Sequence, residues 1–268
     1  MRILSQSEQI EYYLGKDKFK DRYFKPEIPN PYTLIPSSRA GEYADHASST
    51  QHINLFYPDL EFKFNNLCYR SDFDFHVDEL NSKKVILCLG CSDTFGLHVD
   101  NSSAWPTLLS NQLSDYTVLN LGVIGSCPDT VSRLLVKVSS VLTSIDSVCI
   151  LWPHYGGREF VSKEYTGIVT NHNILDVPYE NYWDFIDWKS DNYNLFKNVH
   201  LVDAVCKSKG IRLFDLDINR FDKKVPYDYS SPHYALGKES YIAIANYFRK
   251  KITNQPSLYS EIKNVSNS

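Results

Sequence analysis

The sequence predicts an α/β domain whose parallel sheet is covered by helices on both faces. Three observations carry that reading. From Lys83 onward, short apolar runs alternate with amphipathic segments at strand–helix spacing. The runs are continuous rather than alternating, which is the pattern of strands buried on both faces. And the first three stop abruptly, at Gly90, Gly122 and Pro153, where a chain leaving a sheet needs a turn.

The first run, Val85–Leu89 within "KVILCLG", predicts a strand over about 84–90. Residues Ser103–Leu113 read as the helix after it. "YTVLNLG" gives a second strand at 116–121. Pro128 and Asp129 then open a helix with one apolar stripe of Val131, Leu134, Leu135, Val138, Val141 and Leu142. "SVCILW" predicts a third strand at 147–152. Leu195, Phe196, Val199, Val202, Val205 and Cys206 form another helical face, closed by Gly210. "IRLFDLD" is the fourth strand, at 211–216, and the last helix runs from about Leu236 to Ile252 with Ile242, Ala245, Phe248 and Ile252 inward. Each connection is long enough for a crossover helix, so the four strands are expected to be parallel.

The texture before Lys83 is different. Residues 1–82 are rich in Tyr, Phe, Pro, Asn and charge, and the prolines of "KPEIPNPYTLIPSS" forbid a long helix there. The expected division is an irregular extension over 1–82 packed on the core, the α/β domain over 83–255, and a polar tail over 256–268. No repeat or low-complexity tract stands out.

Composition narrows the function classes. A chain of 268 residues with 43% hydrophobic content can bury a sizeable core. A net charge of −4 argues against nucleic acid as the main partner. The start, "MRILSQSEQIEYYLG", has no apolar signal region, and no apolar run reaches the roughly 18 residues of a membrane span. A cytoplasmic protein without a membrane partner is the expectation. Six scattered cysteines, mostly in apolar segments, fit buried free thiols. Cys88 and Cys91 form a C-x-x-C, but Cys88 lies inside the apolar run and no second ligand pair points to zinc.

In a parallel sheet, ligands bind beyond the carboxyl ends of the strands. That directs attention to Gly90–Gly96, Gly122–Cys127, Pro153–Arg158 and the loop before the last helix. Ser92 follows the first strand at a turn and opens a helix, so its hydroxyl is exposed and a helix N-terminus faces any oxyanion formed there. "NLGVIGS" offers a second glycine turn whose N–H groups could point to the same place. His233, in "DYSSPHYALG", stands just before the last helix, placed for a general base. A plain turn serine is the competing reading, since Ser and Gly favour turns. So is Cys91 as the nucleophile, because the same helix N-terminus would favour a thiolate.

This set resembles the SGNH (GDSL-type) hydrolase superfamily. Gly-Cys-Ser-Asp-Thr at 90–94 is similar to its first block, Asn120-x-Gly-x-x-Gly125 to the second, and Pro232-His233 to the last; "NNLCYRSDF" at Asn65–Phe73 is similar to a lead-in of many members. The resemblance spans about 65–252 and implies a flavodoxin-like three-layer α/β/α sandwich. It also implies Ser92 as nucleophile and first oxyanion N–H, Gly125 as the next donor, and His233 as base. Two departures stand against it. The third block usually ends in Gly-x-Asn, whose amide donates to the oxyanion, whereas here the strand runs into "WPHYGGRE", so that His154, Tyr155 or Arg158 substitutes or nothing does. Loss of one such donor typically costs about 3 kcal/mol in the transition state. In the last block, the position usually held by Asp is Ser230, so Asp228 either supplies the orienting carboxylate or a Ser92–His233 dyad works without one. His154 is the candidate third oxyanion group, and Asp93, Tyr155 and Arg158 are the substrate-binding candidates. By this resemblance the substrate is a small-molecule or carbohydrate ester, O-acetyl sugars included, with no cofactor and no metal. An acyltransferase on the same site, and a non-catalytic carbohydrate-binding or particle-associated sandwich, stay open as alternatives.

Overall fold

The computed structural model describes residues 69–124, 126–154, 157–161, 166–169, 188–217 and 236–254, together with residues 60, 63, 65 and 67. Among them, four strands form one parallel sheet: β1 (Val85–Gly90), β2 (Thr117–Gly122), β3 (Ile145–Trp152) and β6 (Arg212–Asp217), in the spatial order β2-β1-β3-β6. The α/β class and the parallel sheet follow the expectation, with strand ends shifted by one or two residues.

The helices are α1 (Val77–Asn81), α2 (Ser92–Phe95), α3 (Trp105–Gln112), α4 (Pro128–Ser139), α5 (Trp188–Lys209) and α6 (Lys238–Asn254). β1 has all six residues buried because both of its faces are covered. Val85, Leu87 and Leu89 face one core with α1, α4 and α5; Ile86 and Cys88 face the other with α3 and α6. The molecule is a three-layer α/β/α sandwich. Each of those aliphatic side chains contributes about 1.5–3 kcal/mol by leaving water, which outweighs any local preference in setting the strand.

Leu67, Tyr69, Phe75, Val77 and Leu80 join the first core, so the stretch just before β1 is part of the packed domain. A two-stranded antiparallel hairpin, β4 (Arg158–Val161) and β5 (Thr166–Val169), follows β3 and was not expected. Ion pairs fasten it to the helices. Arg133 of α4 grips the Glu159 carboxylate through Nε at 3.0 and 2.8 Å and Nη2 at 2.8 Å. Arg158 Nη2 donates to Asp191 Oδ1 and Ser190 Oγ of α5, both at 3.0 Å. Asp129 joins the three elements: it accepts from Glu159 N at 3.1 Å, Lys197 Nζ at 2.9 Å and Asn198 Nδ2 at 2.8 Å. Burial opposes its charge, but the bonds from Asn198 and Lys197 prevail and hold the carboxyl below its ordinary range.

Strand order positions the site. The connection leaving β1 carries α3 on one face, whereas the connection leaving its neighbour β3 carries α5 on the other. Neighbouring strands whose outgoing loops part to opposite faces open a crevice at their carboxyl ends. Gly90 and Leu151 lie side by side there, with Gly122 on the other flank of Gly90. No helix among the described residues is long and apolar enough to cross a membrane.

Candidate active site

Ser92 is the first residue of α2, one turn long, set directly on the end of β1. Its N–H, at the first helical position, has no intrahelical partner and points out of the helix N-terminus. Two glycines make the placement possible. A Cβ at Gly90, whose φ is +154°, would lie 2.1 Å from Thr94 Oγ1 and 2.5 Å from Leu151 O. A Cβ at Gly122 would lie 2.3 Å from Phe95 N. The serine turn is therefore pressed against the ends of β1, β2 and β3 with no room for a side chain between.

A four-residue helix cannot sustain itself, since nucleation costs more than one turn returns. It makes the bonds of its single turn, and further ties reach it from outside. Cys91 O accepts from Phe95 N at 2.9 Å, and Ser92 O accepts from Gly96 N at 2.9 Å and Leu97 N at 3.0 Å. Phe95 O accepts from Asn120 Nδ2 at 3.4 Å, while Asn120 Oδ1 accepts from Gly122 N at 3.0 Å. Asn120 thus ties β2 to the serine turn. Ser126 does the same for the second glycine turn: its hydroxyl donates to Gly90 O at 2.9 Å, beside Val123 N at 3.1 Å. The two turns named by the sequence are brought to one carbonyl.

Around the hydroxyl, Ser92 Oγ lies 3.8 Å from Cys91 Sγ, which in turn lies 3.8 Å from Asp93 Oδ2. Burial, and then the Asp93 charge, push the Cys91 thiol up to about 12. Burial thus opposes a thiolate at Cys91. Burial likewise pushes Asp93 up to about 6, the bond from Cys91 opposing. Cys88 is fully buried in β1, and Cys88, Cys91, Cys127, Cys149 and Cys206 are all free thiols. Cys88 and Cys91 are not joined by a disulfide.

The remaining candidates divide. His154 stands two residues past β3 and is exposed. Arg158 is engaged with Asp191 at the start of α5, a side chain only 18% exposed. Gly125, Tyr155, Asp228, Ser230 and His233 lie outside the described residues. The element that follows His233 is described. Arg212, the first residue of β6, donates from Nη1 to Ile252 O near the end of α6 at 3.0 Å. α6 therefore runs antiparallel to β6, and its first residue, Lys238, lies toward the carboxyl edge where Ser92 stands. Sequence reasoning missed Asn120 as a tie, and it missed Arg70. The Arg70 guanidinium is buried and donates to Phe95 O at 3.3 Å, to Gly96 O, and to Val99 O at 2.8 Å.

The fold and this turn define a class: an α/β/α sandwich with a serine poised at the carboxyl end of its first strand. Among solved structures, the chain is similar to a member of the lipolytic protein G-D-S-L family from Veillonella parvula DSM 2008, at 12% identity over 64% of this chain and 99% of that one, TM-score 0.38. It is also similar to a G-D-S-L family protein from Desulfitobacterium hafniense DCB-2, at 15% identity over 63% and 99%, TM-score 0.35. No family model and no curated protein matches the chain.

Proposed function

We propose that this protein is a serine hydrolase of ester bonds. Ser92 Oγ attacks the acyl carbon as His233 takes its proton, forming a tetrahedral intermediate. The N–H groups of Ser92 and Gly125 hold the oxyanion, with His154 the third donor. Collapse of the intermediate passes the proton from His233 to the leaving alcohol; water, activated by the same imidazole, then releases the acid. Asp228 orients the imidazole. Asp93 and Tyr155 border the acyl group, which is small, O-acetyl groups on carbohydrate included.

One observation carries the reading: Ser92 opens a helix on the end of β1, beside the crevice between β1 and β3. Close packing at Gly90 and Gly122 and the ties from Asn120, Ser126 and Arg70 hold that turn in place. The test is hydrolysis of a chromogenic acetyl ester by wild type, Ser92→Ala and His233→Ala. Loss in both variants supports the mechanism, and wild-type rates in either would end it.

A further inference from the structure

We infer that Arg70 is a positioning residue for the nucleophile, acting through the C-terminal end of the one-turn helix that carries Ser92. The inference rests on the reading of Ser92 as nucleophile. Arg70 is 1% exposed, and a buried guanidinium is costly unless its donors are met. Its two terminal nitrogens reach carbonyls of one feature. Nη1 donates to Phe95 O and Gly96 O, and Nη2 donates to Val99 O. These are carbonyls at and just after the end of α2, where a helix leaves its acceptors without intrahelical donors and where its dipole favours a cation. The guanidinium carbon also stands 5.2 Å from the centroid of the Phe95 ring, covering the last side chain of the same turn.

The surroundings fit that placement. Gly96 closes α2 in the left-handed conformation, φ +84°, and a Cβ there would meet Ala104 Cβ at 2.7 Å and Arg70 Nη1 at 3.1 Å. Glycine at 96 thus lets the guanidinium approach the backbone. The segment that delivers Arg70 is itself fixed: Asn65 Oδ1 accepts from Leu67 N at 3.0 Å and Tyr69 N at 2.9 Å, and Ser71 N donates to Lys63 O at 3.1 Å. Tyr69 then stacks on Phe75, centroids 6.1 Å apart. These three carbonyls span the end of α2 and the turn that follows it, so the guanidinium fixes where the helix ends. Arg70 sets where α2 stops, and a one-turn helix fixed at its end is fixed at Ser92.

The experiment compares wild type, Arg70→Lys and Arg70→Ala by fluorophosphonate labelling rate, ester kinetics and amide hydrogen exchange, with and without added ethylguanidinium. Arg70→Lys keeps the charge but not the fork, and is used alone if Arg70→Ala does not fold. We expect labelling and kcat to fall about a hundredfold, the cost of an ångström-scale misplacement, with KM nearly unchanged. We expect faster exchange at Phe95, Gly96 and Leu97 while the β1 and β3 amides keep wild-type protection. Ethylguanidinium should restore labelling in Arg70→Ala. Wild-type labelling in Arg70→Lys, or exchange that rises equally across the sheet, would overturn the inference. If wild type itself does not label, the hydrolase reading fails, and unchanged exchange at Phe95–Leu97 in Arg70→Lys would separately overturn the positioning role.

Discussion

Replacing Gly122 with alanine should disable Ser92 without unfolding the protein. The added methyl would lie 2.3 Å from Phe95 N, 2.7 Å from Thr94 C and 2.9 Å from Phe95 Cα. All three are backbone atoms of the serine turn, so no side chain can swing aside. The closest contact is about 1 Å short of ordinary van der Waals separation, and either β2 or α2 must give by that amount. β2 is held along its length by β1, whereas α2 is one turn, so α2 moves. Overpacking of this kind costs about 1–3 kcal/mol in stability. An ångström-scale shift of a nucleophile costs about a hundredfold in rate. The assay is kcat for a chromogenic acetyl ester beside a thermal melt. Gly210→Ala is the control: its φ is +65° and a Cβ meets nothing within 4 Å, so it should lose about 1–2 kcal/mol from left-handed strain and no activity. Gly122→Ala with wild-type kcat would refute the claim that close packing aims Ser92.

Three further outcomes are expected. Asp93→Asn should raise Tm at pH 7: the folded carboxyl titrates near 6, above its ordinary 3.8, so wild-type stability falls as pH rises from about 4 to 6, by about 2–3 kcal/mol, and the variant should lack that slope in paired melts. Asp129→Ala should cost about 2–3 kcal/mol by unpairing donors to a charged acceptor; because the Asp129 carboxyl is depressed when folded, its contribution is present above its unfolded value and lost as pH falls below it, so wild type and variant should converge in acid melts. If Asp228 orients His233, Asp228→Asn should lower kcat by orders of magnitude with the melt unchanged, while a gain in Ser230→Asp with no loss in Asp228→Asn would mean that a dyad works.

The sheet was legible because burial on both faces writes itself as continuous apolar runs, as in Val85–Leu89. The helix at Pro128 was legible from its stripe. Shorter elements were not: α1 has only Val77 and Leu80 turned inward, and "REFV" and "TGIV" are too brief for period two to declare a hairpin. Helix α5 begins at Trp188, ahead of its apolar face, because Ser190 and Asp191 are drawn to Arg158 rather than to the core. At the site, Ser92 could be found because a glycine-flanked polar turn after a buried strand is a local signal. Arg70 and Asp129 could not, since their partners stand 25 to 29 and 30 to 69 residues away. Nothing in the "YRSDF" stretch says that its arginine is buried.

The central claim is that Ser92 is an activated nucleophile, and fluorophosphonate labelling of the whole protein tests it most directly. The account predicts one adduct per chain, mapped to Ser92, formed faster as pH rises through about 6.5, where an unperturbed imidazole becomes a base, and absent in Ser92→Ala. Undiminished labelling in Ser92→Ala, or none in wild type at any pH, would contradict it.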